Sequence, residues 1–234
     1  ISTGGTVVLA QIIGSKRLEM AQKAATQVMV LTVLVAFVFV GIVLIFNQVI
    51  LTALFGSVDA DVMRAARIYF IVSSLSYPFM AVYNSSAGLF RAMGNSRIPM
   101  MASMVLNLLS VFGIGLAIFG FKAGITGVAI ATLTARILAA SFILKLNFNP
   151  DLIIQLDRQK LWIWNKELIL RILKVALPNG VENGVTQVGR VFLASIIALF
   201  GTAQITANGI VNSLVAFALS YSMAMVFASV TVVG

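Results

Sequence analysis

The sequence has no cysteine and no histidine. Disulfides, thiolate metal sites and imidazole acid–base chemistry are therefore excluded within its 234 residues. Charge is scarce too. Asp, Glu, Lys and Arg make up 10% of the chain, against about 25% in ordinary soluble domains. Acids are the scarcer sign, 7 against 16 bases. The Asp residues (Asp59, Asp61, Asp151 and Asp157) all lie in expected loops, so a membrane-embedded enzyme would lack its paired acids. No cluster of basic and aromatic residues suggests a nucleic-acid surface. An enzyme and a nucleic-acid partner are both unexpected.

Apolar residues fill the space: 60% of the chain is hydrophobic and its mean hydropathy is +1.05. A soluble fold of this size cannot bury that much apolar surface, so an all-α polytopic membrane protein is expected. The sequence opens on Ile1 without a signal-peptide n-region and stops just after "FASVTVV". An internal piece of a longer chain is the expectation.

Charge-free windows of about 20 residues mark the spans. Six full spans are predicted near 24–46, 68–90, 98–121, 123–144, 175–200 and 204–232. Residues 1–13 read as the tail of an earlier, partial span. The second span is interrupted by Pro78 and the fourth contains Arg136. Basic loops (14–23, 91–97 and 145–174) alternate with loops poor in basic residues. The positive-inside rule places the basic ones in the cytoplasm, and a multi-pass protein of the cell's inner membrane follows. Arg64 and Arg67, on the outer side, are expected to snorkel or to pair with Asp59 and Asp61. Residues 157–173, "DRQKLWIWNKELILRIL", read as an amphipathic helix on the inner membrane face, anchored by Trp162 and Trp164.

"GGTVVL" (4–9) and "SVTVVG" (229–234) suggest a repeat six helices apart. An even spacing implies two similarly oriented lobes, one of the two repeat plans of transporters. The domain expectation is an N-terminal lobe over 1–148, a cytoplasmic linker over 149–174 and the start of a C-terminal lobe over 175–234.

Polar residues inside spans single out the stretch "LPNGVENGVTQVGR" (177–190). Pro178 loosens the helix at its entry. Asn179, Glu182 and Thr186 fall on one helical stripe, and Asn183, Gln187 and Arg190 on the next. A carboxylate among amide oxygens suits Na⁺, a hard cation, and is also protonatable. A structural pairing of Glu182 with Arg190 or with another helix end is the competing role. Gln204, Asn208 and Asn212 form one stripe on the last helix, either completing that site or bonding neighbouring helices. Gln11, Asn84, Ser85, Ser86 and Asn107 are expected chiefly as helix–helix hydrogen bonds.

Five stretches together resemble the multidrug and toxic compound extrusion family, MATE. They are "VLAQIIGSKRLEMAQKAA" (8–25), "GLFRAMGNSRIPM" (88–100), "FGFKAGITGVAIATLTAR" (119–136), "LPNGVENGVTQVGR" and "GTAQITANGIVNSL" (201–214). They follow the family's order from the end of helix two to the end of helix eight. The most specific is the loop of Arg91, Gly94, Arg97 and Pro99, which reads as structural. The resemblance implies part of a two-lobe, twelve-helix transporter. It would export drugs or cationic, amphipathic metabolites by antiport with Na⁺ or H⁺, without a cofactor, as a monomer in the lipid bilayer.

By the same resemblance Glu182, Asn179, Asn183, Thr186 and Gln187 would couple the cation. Asn208, Asn212, Gln204, Gln11, Asn107 and Arg190 would line the substrate cavity. The one metal expected is Na⁺ at Glu182. Two positions depart from the family pattern. Sodium-coupled members carry the glutamate about two turns after the proline, where this chain has Val185. The proton-site pattern of the fifth helix reads Asn107, Ser110 and Ile114 here, without its acid. A lipid-linked saccharide flippase of the same superfamily is the alternative, mildly favoured by Arg136 and Arg190.

Overall fold

Long apolar segments cannot hydrogen-bond to lipid, so their backbones must satisfy themselves as helices. The computed structural model, which describes residues 1–55, 60–149, 152–154, 156, 165–198 and 202–233, is helical throughout its regular parts. The helices are α1 (Ser2–Gly14), α2 (Leu18–Phe55), α3 (Ala60–Leu75), α4 (Tyr77–Ala92), α5 (Arg97–Gly115), α6 (Gly124–Asn147), α7 (Lys166–Ala198) and α8 (Thr202–Val233). A π-helical turn, Leu116–Gly120, extends α5. The chain is an all-α membrane protein.

Among the described residues, five segments are long and apolar enough to cross a membrane: Leu18–Thr52, Met63–Ala92, Arg97–Gly120, Gly124–Asn147 and Ala207–Val226. They match five of the six predicted spans. The window at 175–200 becomes part of α7, whose 33 residues are long enough. Glu182, Arg190 and the amides between them keep it out of the strongly apolar group. α1 is the short apolar helix expected at the start.

One predicted span is two helices. α3 ends at Leu75 and α4 begins at Tyr77, with Pro78 in its first turn. Pro78 offers no N–H to the carbonyl four residues before it, so the ladder breaks there. Ser76 fills the gap: its N–H reaches Ser73 O at 3.1 Å and its own carbonyl accepts from Met80 N at 3.1 Å.

Two apolar clusters hold the helices together, and α4 contributes to both. The first joins Val8 and Ile12 of α1, Ala21 to Met29 of α2, Leu89 of α4, and Leu168 and Ile172 of α7. The second joins Tyr83, Ala87 and Phe90 of α4 with Ala102 of α5 and Ala139, Ala140 and Ile143 of α6. The first cluster gathers Ile12, Ala21, Ala92, Ile154 and Leu168, which lie in or beside the three basic segments. Those segments therefore sit at one end of the bundle, as alternating threading requires.

The turns at that end are sharply built. α4 closes with Gly94 at φ 80°. Gly94 N donates to Arg91 O at 3.0 Å and Asn95 N to Phe90 O at 2.9 Å, a Schellman closure. After α1 the left-handed residue is Lys16, at φ 59°, whose N–H reaches Ile13 O at 2.8 Å.

Two expectations meet a different arrangement. Arg67 has no acid partner among the described residues; its Nε donates to Asn47 Oδ1 at 2.9 Å, where α3 packs against α2. Asp59 lies outside the described residues, and Asp61 stands in the first turn of α3 rather than in a loop. The amphipathic segment differs as well. Residues 157–164, Trp162 and Trp164 included, lie outside the described residues. From Lys166 onward the segment is the first part of α7, continuous with its membrane portion. Leu168 and Ile172 are buried in the first cluster rather than turned to lipid.

Candidate functional site

α7 changes character at Pro178. Below it, Leu168, Ile172 and Ala176 are buried against the N-terminal helices. The approach is close at Ala176: a Cβ added to Gly4 of α1 would lie 2.8 Å from its Cα. Beyond Pro178 the helix leaves the N-terminal helices, and residues 177–194 are all exposed. Pro178 lies inside the helix, where it breaks one rung of the ladder, yet the helix runs on to Ala198.

An unbroken register fixes the faces of this segment. Asn179, Glu182 and Thr186 form one stripe and Asn183, Gln187 and Arg190 the adjoining one. Val181, Val185, Val188 and Phe192 fall on the opposite side, all exposed. The segment thus has a polar arc and an apolar arc, the pattern of a helix between an apolar neighbour and an aqueous space.

Hydrogen bonds on the polar arc are local. Asn183 Nδ2 donates to Asn179 O at 2.8 Å and to Asn179 Oδ1 at 2.9 Å. Thr186 Oγ1 donates to Glu182 O at 2.9 Å. These bonds hold Asn183 and Thr186 against the preceding turn. Among the described residues the Glu182 carboxylate has no ion-pair partner. Arg190 is eight residues on, about 12 Å along the axis, so it does not neutralise Glu182 within the helix. The arc offers an acidic oxygen pair, amide oxygens and a hydroxyl, a donor set suited to a hard monovalent cation or to a proton.

The other sequence-predicted residues are dispersed. Gln204 and Asn212 of α8 are exposed and Asn208 is half-buried. α7 and α8 pack together, but no hydrogen bond joins the α8 amides to the α7 arc among the described residues. Gln11 of α1 and Asn107 of α5 are exposed on separate helices. Arg91 is half-buried at the end of α4, Arg97 is exposed at the start of α5 and Pro99 is buried in its first turn. Phe217 makes an edge-on contact with Tyr221, ring centroids 6.1 Å apart. Met223 and Met225 are exposed; the Phe227 side chain lies outside the described residues.

Ser85 and Ser86 do not show the helix–helix bonding expected of them: both are buried, and among the described residues neither hydroxyl has a hydrogen-bond partner. Asn84 is exposed instead. Sequence reasoning missed one polar contact. Arg136 Nη1 of α6 donates to the Ser76 hydroxyl at the break in the second span. The signals were present, a proline-broken span and a lone intramembrane arginine, but nothing in the sequence paired them.

Comparison with known proteins follows the same outline. The MatE family model matches residues 1–114. The Bacillus subtilis uncharacterized transporter YisQ is 23% identical over 230 residues, 96% of this chain and 50% of the relative. The probable multidrug resistance protein NorM of Thermotoga maritima is 25% identical over 210 residues, 86% of this chain and 43% of the relative. A crystal structure of MATE in the bent conformation superposes with a TM-score of 0.86 at 19% identity, over 99% of this chain and 51% of that one. The chain spans about half the length of the relatives it matches.

Proposed function

We propose that this chain is part of a MATE-family protein, a secondary active exporter of drugs or amphipathic, cationic metabolites; the match of the MatE family model to residues 1–114 supports that reading. The exported compound leaves in exchange for Na⁺ or H⁺. Residues 1–148 build most of one lobe, 149–174 lead across the cytoplasmic side, and 175–234 open the second lobe. The whole protein acts as a monomer in the cell's inner membrane.

The observation that carries the reading is the polar arc of α7 beyond Pro178. Glu182 is the coupling carboxylate. Asn179, Asn183, Thr186 and Gln187 supply the oxygens around it. A carboxylate at membrane depth is costly unless it meets a cation, a proton or water. Alternating access supplies these in turn: the cation loads from the outside, and substrate from the inside displaces it. Gln204, Asn208 and Asn212 of α8, with Gln11 and Asn107, line the substrate path. No cofactor takes part.

The coupling ion is tested in proteoliposomes of the full-length protein. Either an inward Na⁺ gradient or an inward H⁺ gradient, imposed alone, should drive export of a cationic dye. Transport indifferent to both gradients would contradict antiport.

A flippase for lipid-linked saccharides is the second reading, and Arg190 is the residue that separates the two. An anionic lipid substrate needs the guanidinium, so Arg190→Gln would abolish flipping. A cationic substrate is repelled by it, so the same change would leave dye export intact or faster.

A further inference from the structure

A cavity of about 530 Å³ opens at the basic end of the bundle, between the α1–α2 turn and the first residue before α7. Lys16, Arg17 and Lys23 line it from one side and Asn165 from the other. Threading accounts for basic residues in this turn, but not for their convergence on one concave space. Lys16 is fixed there by the turn itself, in its left-handed backbone conformation. Asn165 is fixed by capping α7: its Oδ1 accepts from Glu167 N at 3.1 Å and from Leu168 N at 3.3 Å. Among the described residues Glu19 is the acid in the lining, which leaves three positive groups against one negative. Leu18, 49% exposed, supplies an apolar lip to the same cavity.

We infer that this cavity binds a phosphate ester, the headgroup of an anionic phospholipid of the inner leaflet. Basic pockets at the cytoplasmic ends of membrane helices take such headgroups, and each lysine or arginine strengthens the attraction. The arginine fork matches two phosphate oxygens, while the lysines act as point charges. The apolar lip favours a lipid over a free ion. A headgroup held here ties the α1–α2 turn to the start of α7, the helix that carries Glu182. Anionic lipid would therefore steady the base of α7. The inference rests on the inward placement of the basic turns and not on ion coupling at Glu182. Failure of one leaves the other standing.

The test uses full-length protein purified from detergent into phosphatidylcholine nanodiscs, with or without phosphatidylglycerol. Native mass spectrometry reads the lipid retained after stripping. Arg17→Gln and Lys23→Gln should each lower phosphatidylglycerol retention about five-fold. Glu19→Gln, which keeps every basic residue and so the threading, should raise it by a similar factor. Lys145→Gln, an exposed charge of the same face outside the cavity, should leave it unchanged. Equal losses in Lys145→Gln and Arg17→Gln would overturn the site in favour of general surface charge. Retention unaffected by Glu19→Gln would overturn it as well. Protection by inorganic phosphate alone, with no phosphatidylglycerol retained, would overturn the lipid assignment.

Discussion

A guanidinium at bilayer depth without a carboxylate must find neutral oxygens, and Arg136 finds the Ser76 hydroxyl. Ser76 is fully buried where the second span breaks, and the carbonyl end of α3 carries partial negative charge. The pair therefore pins α6 to the break. Ser76→Ala leaves the half-buried guanidinium short of an acceptor and should cost about 1–3 kcal/mol. Arg136→Met combined with Ser76→Ala removes both partners and should cost less than Ser76→Ala alone. Thermal unfolding of the purified full-length variants measures both. Arg136 was visible in the sequence as a rare intramembrane charge. Its partner was not, because residues 60 positions apart meet only once the helices pack.

At the scale of elements, the turn after α4 and the start of α7 show what a sequence carries well and badly. "RAMGNSRIP" announces its own turn: Gly94 takes the left-handed position and Pro99 enters the next helix. Gly94→Ala should destabilise the protein by about 1 kcal/mol, readable as a lower unfolding temperature. Residues 166–173 read as an amphipathic surface helix because their apolar side chains recur at helical spacing. Periodicity gives the face but not what covers it, and α1, α2 and α4 cover it here. Gly4 permits that contact. Gly4→Val would drive a side chain into the α7 backbone at Ala176. It should lower stability by about 1–3 kcal/mol. In addition, it should expose a new protease site near the base of α7, read by limited proteolysis.

At the scale of the whole molecule, the N-terminal helices share two buried clusters, whereas α7 beyond Pro178 and α8 are exposed on almost every side. The spans themselves were legible because a bilayer demands about 20 apolar residues in a row. Their threading was legible because basic loops alternate. The site was legible only as stripes: helical register puts Glu182 beside Asn179 and Thr186 without naming the helix opposite. Gln204, Asn208 and Asn212 make no hydrogen bond to that arc among the described residues.

Glu182 is the centre of that proposal, and one exchange tests it most directly. Full-length Glu182→Gln protein, reconstituted in proteoliposomes, keeps the shape of the side chain and loses its charge. The account predicts that export driven by an imposed Na⁺ or H⁺ gradient falls to the level of empty liposomes, while the unfolding temperature stays near that of the unmodified protein. Gradient-driven export at an unchanged rate in that variant would contradict it.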